Sequence, residues 1–221
     1  MRQSGLVFVV IAGVLCGACN MVGIIGSKSY HEQKIPAELI LKEHAKGGVL
    51  VFVEKARGTS GGLGLRSGLT ETVSTFLVKK ARINSKYLVS QNKLLQLRSE
   101  RDDFSRLSPV EVGAAGGAGV VLYILIEDYK LYRMAEQGYY EGSLITRSIL
   151  FDVASGRVLW PRLGDGRVVR AKVELETAGR AAALNRLIYA TAHCITRSFY
   201  NCPRSNFKTR DEQTGYSMNR L

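Results

Sequence analysis

Apolar residues run almost unbroken through Val120, Val121, Leu122, Tyr123, Ile124, Leu125 and Ile126, and a second, alternating run returns to Ile149, Leu150, Phe151 and Val153. Ala135, Glu136, Gln137 and Gly138 read as the turn between them. The pattern predicts a long antiparallel hairpin from Gly119 to Val153. Strands buried on both faces read as continuous hydrophobic runs, so the first strand is placed centrally in a sheet that helices cover. A turn at Ala135 to Gly138 sets Leu122 opposite Phe151 and Ile124 opposite Ile149, and brings Asp128 diagonally near Arg147. The far end holds Tyr129, Tyr132, Tyr139 and Tyr140, which are expected to project toward solvent.

The remaining pattern supplies neighbours for this hairpin. Val49 to Val53 reads as a second central strand. Leu69, Val73, Phe76, Leu77 and Ala81 fall at helical spacing, with Lys79, Lys80 and Arg82 toward the end, where cations suit the helix dipole. A short strand over Tyr87 to Val89 leads to Ser90, which can cap a helical piece through Leu94 and Leu97. Ser108, Pro109 and Glu111 form a capping box, and the small residues Gly113 to Ala118 permit close approach to the sheet. Ser155 and Gly156 turn into an edge strand, Arg157 to Trp160, which Pro161 ends. Val169, Ala171, Val173 and Leu175 alternate in a further strand. Leu184, Leu187, Ile188, Thr191, Ile195 and Phe199 mark a last long helix. The fold class is α/β (α+β), a mixed sheet with a long central antiparallel hairpin covered by amphipathic helices, in one domain over residues 48–202. A weakly patterned tether (20–47), with a short element around Ala37 to Leu41, precedes it. A polar tail (203–221) without apolar periodicity is expected to be disordered.

The first 19 residues change the picture. Met1, Arg2 and Gln3 make a short basic start, Leu6 to Leu15 is apolar, and Gly17, Ala18 and Cys19 follow as small residues ending in a thiol. This is the pattern of a secretory signal peptide. The order Leu15, Cys16, Gly17, Ala18, Cys19 resembles the bacterial lipobox, which implies lipidation at Cys19. The alternative is an uncleaved transmembrane helix, since Gly5 to Gly26 carries no charge and is long enough to cross a bilayer of about 30 Å. Both readings export the domain. The 31 basic side chains against 19 acidic ones leave a formal charge of +12, which favours polyanionic partners: nucleic acid, anionic headgroups or an acidic envelope polymer.

Candidate chemistry adds little. The Gly58 to Gly68 stretch sits where a phosphate loop would, but lacks the Gly-Lys-Ser/Thr ending and the third glycine of the dinucleotide pattern, so it reads as a surface loop. His31 and His44 fall in the tether, and His193 falls opposite the apolar face of its helix, toward solvent. None has a metal-ligand or nucleophile partner at recognised spacing. Glu127 and Asp128 are adjacent on a strand and so point to opposite faces. Cys194 and Cys202 either bridge or remain a buried and a free thiol. Eight helical residues span about 12 Å, whereas disulfide Cα atoms approach within about 7 Å, so a bridge requires the chain to fold back.

The element order resembles the envelope lipoprotein modules of the curli-secretion lipoprotein (CsgG), the lipoprotein activators of penicillin-binding proteins (LpoB) and the amino-terminal domain of TolB. The matching stretches are Gly68 to Lys80, Val112 to Tyr123, and Asp152, Ser155, Gly156, Val158, Leu159 and Trp160. The resemblance implies the fold and an envelope setting, and no functional residue comes with it. The leading expectation is a non-enzymatic, membrane-anchored lipoprotein of the cell envelope. It would need no cofactor or metal and would act as a binding or adaptor module for a protein or anionic envelope polymer. A membrane-anchored exported enzyme and a basic nucleic-acid-binding protein are the alternatives. The hairpin end supplies the candidate partner-binding residues Tyr129, Tyr132, Arg133, Tyr139 and Tyr140, because tyrosine and arginine are enriched where partners bind.

Overall fold

The computed structural model describes residues 33–59, 64–134, 139–175 and 179–213. The leader, Cys19, the segment Gly5 to Gly26 and the turn Ala135 to Gly138 lie outside the described residues. In chain order the elements are β1 (Lys34–Ile35), α1 (Leu41–His44), β2 (Val49–Lys55), α2 (Leu65–Lys79), α3 (Gln91–Glu100), α4 (Pro109–Gly116), β3 (Val120–Arg133), β4 (Tyr140–Asp152), β5 (Val158–Trp160), β6 (Arg167–Leu175), α5 (Gly179–Thr196), β7 (Cys202–Pro203) and α6 (Arg204–Phe207). The main sheet is mixed and five-stranded: β2 runs parallel to β3, β3 pairs antiparallel with β4, and β4 takes both β5 and β6 on its other edge.

The hairpin is therefore present, with β3 in the middle of the sheet. β2 is not a second central strand. It has one full partner, and on its open side, among the described residues, only Val89 donates to the carbonyl of Val49, at 2.9 Å. Its unbroken apolar run comes from burial on both faces. Val49, Val51 and Val53 face the large core with Leu65, Leu69, Val73, Phe76 and Leu77 of α2, while Leu50 and Phe52 face a smaller core with Leu94 of α3 and Val112 of α4.

Local chemistry fixes the helix ends. Ser108 accepts from the amide of Glu111, whose carboxylate accepts from the amide of Ser108 at 2.7 Å, with Pro109 in the first turn. Ser90 likewise caps α3 by accepting from Lys93, although the segment before it is a 3-10 turn, Ser85–Tyr87, with a single bridge from Leu88 to Val49 rather than a strand. Gly113 is where the sheet demands a missing side chain: a Cβ there would lie 2.2 Å from Val121 Cγ2. Trp160 is buried, meets Phe199 edge-on at 4.9 Å, and donates from Nε1 to Glu38 Oε2 at 2.8 Å.

Both ends of the domain extend past the predicted boundaries. Lys34–Ile35 pairs with Cys202–Pro203, and Leu41 and Ala45 are buried, so the fold reaches back past Gly48 into the expected tether. The tail is held as far as Gln213. Lys172 donates its amide to Asp211 O at 2.8 Å, Gln213 to Arg170 O at 2.9 Å, and the carboxylates of Asp211 and Glu212 pair with Arg186 and Arg197. Charge pairing holds this segment, which is why it shows no apolar periodicity.

Two expectations about the last helix are corrected. His193 is only 3% exposed, because α5 is enclosed on more than the sheet side from Ala190 to Thr196. Its ring lies edge-on to Phe76, and its Nδ1 is 3.3 Å from Lys80 Nζ. Cys194 and Cys202 are both buried free thiols. Cys194 Sγ faces Thr209 Oγ1 at 3.9 Å, whereas Cys202 Sγ sits 3.8 Å from the Tyr200 hydroxyl. Burial pushes the Cys194 thiol up to about 11.

Candidate binding surface at the hairpin end

β3 changes character at Glu127. Up to Ile126 its partners are Val120↔Asp152, Leu122↔Leu150 and Ile124↔Ser148. A β-bulge between Ile126 and Asp128 then shifts the register, and the distal arm pairs Asp128↔Ile145, Tyr129↔Leu144, Leu131↔Gly142 and Arg133↔Tyr140. The expected pairs Leu122–Phe151 and Ile124–Ile149 are off by one for this reason: a turn at 135–138 gives the arm's register, and the extra residue displaces the base. A bulge sets two residues of one strand against one of the other and increases the local twist.

The bulge decides which side chains the arm presents. Before it, Leu122, Ile124 and Ile126 face the large core; after it, Tyr129 and Leu131 do so, and Lys130 and Tyr132 are exposed. Tyr129 is thus a core residue, 7% exposed, and not part of a solvent-facing cluster. Its hydroxyl has no hydrogen-bond partner among the described residues. Burial raises its pKa, and the Arg180 guanidinium nearby opposes the rise. Gly142 completes the packing from β4, since any Cβ there would come within 2.7 Å of Leu187 Cδ1.

Arg147 anchors the bulge from across the hairpin. Its Nε donates to Glu127 Oε1 at 2.6 Å and its NH1 to Asp165 O at 2.8 Å. The expected partner, Asp128, instead lies 3.5 Å from Lys130 Nζ. On the other side, Thr59 donates its hydroxyl to Glu127 O at 3.2 Å and Ala56 its amide to Ile126 O at 2.9 Å, tying the loop after β2 to the same point. The result is an open groove of about 700 Å³ lined by Arg57, Thr59, Tyr129, Lys130, Tyr132 and Arg180, among others.

Beyond the groove the arm carries its exposed aromatic surface. Tyr132 is 56% exposed, Met134 48% and Tyr139 36%, with Arg133 exposed beside them and Tyr140 half-buried opposite Arg133. Lys172 Nζ fixes the neighbouring charge by bridging Glu141 and Glu174 at 2.8 and 3.0 Å. Four of the five residues named from sequence therefore gather at the arm's end, and Tyr129 does not. Sequence reasoning missed Met134, Arg57 and Arg180. Arg57 carried a signal, because it opens the glycine-rich loop that follows a parallel strand; Arg180 came only with the fold. Among the described residues no group of three or more His, Cys, Asp or Glu is placed to hold a metal ion, and no helix is long and apolar enough to cross a membrane.

No protein-family model matches the chain, and no curated protein matches its sequence. Solved structures are similar to it at low identity. The lipoprotein GNA1162 from Neisseria meningitidis aligns at 16% identity over 69% of this chain and 99% of that one, with a TM-score of 0.43. The PelC dodecamer from Paraburkholderia phytofirmans aligns at 14% identity over 75% and 91%, with a TM-score of 0.38. The LpoB C-terminal domain from Salmonella enterica aligns at 19% identity over 68% and 92%, with a TM-score of 0.32.

Proposed function

We propose that this chain is a non-enzymatic, membrane-anchored lipoprotein of the bacterial cell envelope that acts as a binding or adaptor module. It meets a protein or an anionic envelope polymer at the outer end of the β3–β4 arm. The observation that supports this most directly is the exposure of Tyr132, Met134 and Tyr139 around Arg133, on an arm whose inner face is locked to α5 by Tyr129, Leu131 and Leu144. Large rigid aromatic surfaces beside arginine on a fixed support bind partners at low entropic cost. The leader supports the compartment, through lipidation at Cys19 or retention of Gly5 to Gly26 as an anchor.

Cross-linking in intact cells tests the surface. Replacing Tyr132, Arg133 and Tyr139 together with Ala is expected to abolish capture of the partner while leaving the melting temperature unchanged. Unchanged capture would move the binding surface elsewhere. Radiolabelled fatty acid is expected to enter the wild type and not Cys19→Ser; equal labelling of both, or none in either, would rule out lipidation at this residue.

A further inference from the structure

A second groove, of about 570 Å³, opens where the chain enters the domain, between α1, the end of α2 and the segment from Phe199 to Asn206. Lys34, Lys42, Lys79, Lys80 and Arg82 line it together with Asn201 and Asn206, and no acidic side chain does. Among the described residues none of these five cations lies within ion-pair distance of a carboxylate. The negative end of the α2 dipole accounts for Lys79 and Lys80. It does not account for Lys34 on β1 or Lys42 on α1.

One of the cations is held in place against a local preference, and a second is fixed by its neighbours. Arg82 follows α2 with φ 56°, in the left-handed region that helix ends usually give to glycine. Lys80 is half-buried, with its ammonium 4.3 Å from the Phe76 ring centroid and 3.3 Å from His193 Nδ1. Five clustered positive charges repel one another unless an anion sits among them, and lysine, arginine and asparagine are donors that suit phosphoryl oxygens.

We propose that this groove binds a phosphoryl anion, and that in the anchored protein the anion is the phosphate of an acidic lipid headgroup. The phosphoryl chemistry stands on the groove alone; its lipid source rests on the membrane-anchored reading above. If Cys19 carries the lipid, the chain from there to Lys34 reaches at most roughly 50 Å when fully extended. The groove therefore works at high effective concentration of membrane surface. The basic groove then adds an electrostatic contact with acidic headgroups to the attachment that the anchor provides.

The test uses the full chain reconstituted into vesicles of phosphatidylcholine alone or of phosphatidylcholine with one quarter phosphatidylglycerol. Lysines are labelled with an amine-reactive reagent and read by mass spectrometry, with Lys93 and Lys172 as references. Lys34, Lys42 and Lys79 are expected to be about fivefold less reactive in the acidic vesicles, the factor that one basic residue near an anionic surface typically contributes. High salt should abolish the protection. In Lys42→Ala/Lys79→Ala/Arg82→Ala, Lys34 should label equally in both vesicles. A separate arm adds inorganic phosphate to the full chain in detergent, where millimolar phosphate is expected to protect the same lysines. Protection by phosphate without protection by acidic vesicles would overturn the lipid source. Protection in neither arm would overturn the site. If the chain washes off both kinds of vesicle, the anchored reading and the lipid source fall together, and the phosphate arm still decides the groove.

Discussion

Arg147 reaches across the hairpin to donate from Nε to Glu127 Oε1 at 2.6 Å, while its NH1 holds Asp165 O at 2.8 Å. One guanidinium thus ties the bulge of β3 to the loop before β6, and its stem lies against Gly166, where a Cβ would come within 2.6 Å of Arg147 Cγ. Both partners of the ion pair are part-exposed, so the pair itself contributes about 1 kcal/mol or less. Arg147→Ala is expected to cost about 1 to 2 kcal/mol in urea unfolding, because stem packing and the Asp165 bond go with the charge. Arg147→Lys should recover only part of it, since an ammonium lacks the fork that serves both acceptors.

Trp160 combines full burial with one polar tether to Glu38. Trp160→Ala is expected to cost about 3 to 5 kcal/mol, read as a lowered denaturation midpoint. Trp160→Phe keeps most of the apolar surface and loses the bond to Glu38, so its cost should be nearer 1 kcal/mol plus that of a small cavity. A variant with unchanged stability would mean that the ring does not fill the core.

Gly113 packs α4 against the sheet with no space for a methyl, between Val121 Cγ2 and Val153 Cγ2. Gly113→Ala is expected to destabilise by about 1 to 3 kcal/mol through overpacking, despite alanine's better helix propensity. Adding Val121→Ala should return part of that loss, a non-additivity that a simple propensity effect would not produce.

His193 gives the fold a pH dependence of known sign. Burial lowers its pKa below the usual 6.5, and the positive charges of Lys80 and Arg197 lower it further, against backbone carbonyls at Asn206 and Phe207 that raise it. The unfolded chain therefore binds a proton in a range where the folded chain does not. That contribution to stability is full above the unfolded value and is lost as pH falls below about 6.5 toward the folded pKa. Melting temperature is expected to fall between pH 7 and pH 5, with a shallower slope in His193→Gln. Equal slopes would assign the acid sensitivity to other groups.

The two strands of the hairpin, the capping box and the two long helices were legible because each rests on a local period or a local hydrogen-bond pattern. Three features were not, for physical reasons. The bulge has no local signature: Ile126, Glu127, Asp128 and Tyr129 read as one strand, and only the core that receives Tyr129 shows that the alternation has slipped. β2 reads as central because periodicity reports burial of faces and is blind to the number of hydrogen-bonded neighbours. The tail is held by Asp211 and Glu212 on Arg186 and Arg197, pairs that exist only once α5 is in place. Four of the arm's candidate residues were legible because strand ends rich in tyrosine stand out in composition, whereas the basic groove at Lys34 gathers residues from separate elements.

The bulge at Glu127 works on β3 as a frameshift works on a message. Base and arm are written in different frames, one with even positions turned to the core and the other with odd positions, and a single residue carries the change. Were Glu127 taken into regular alternation instead of a bulge, the arm would follow the base's frame and turn inside out, burying Asp128 and Lys130 and exposing Tyr129 and Leu131. Changes beyond it that keep the arm's own frame leave the base untouched. The core of this protein is thereby insulated from variation at the end of its arm, where a binding surface has most need to vary.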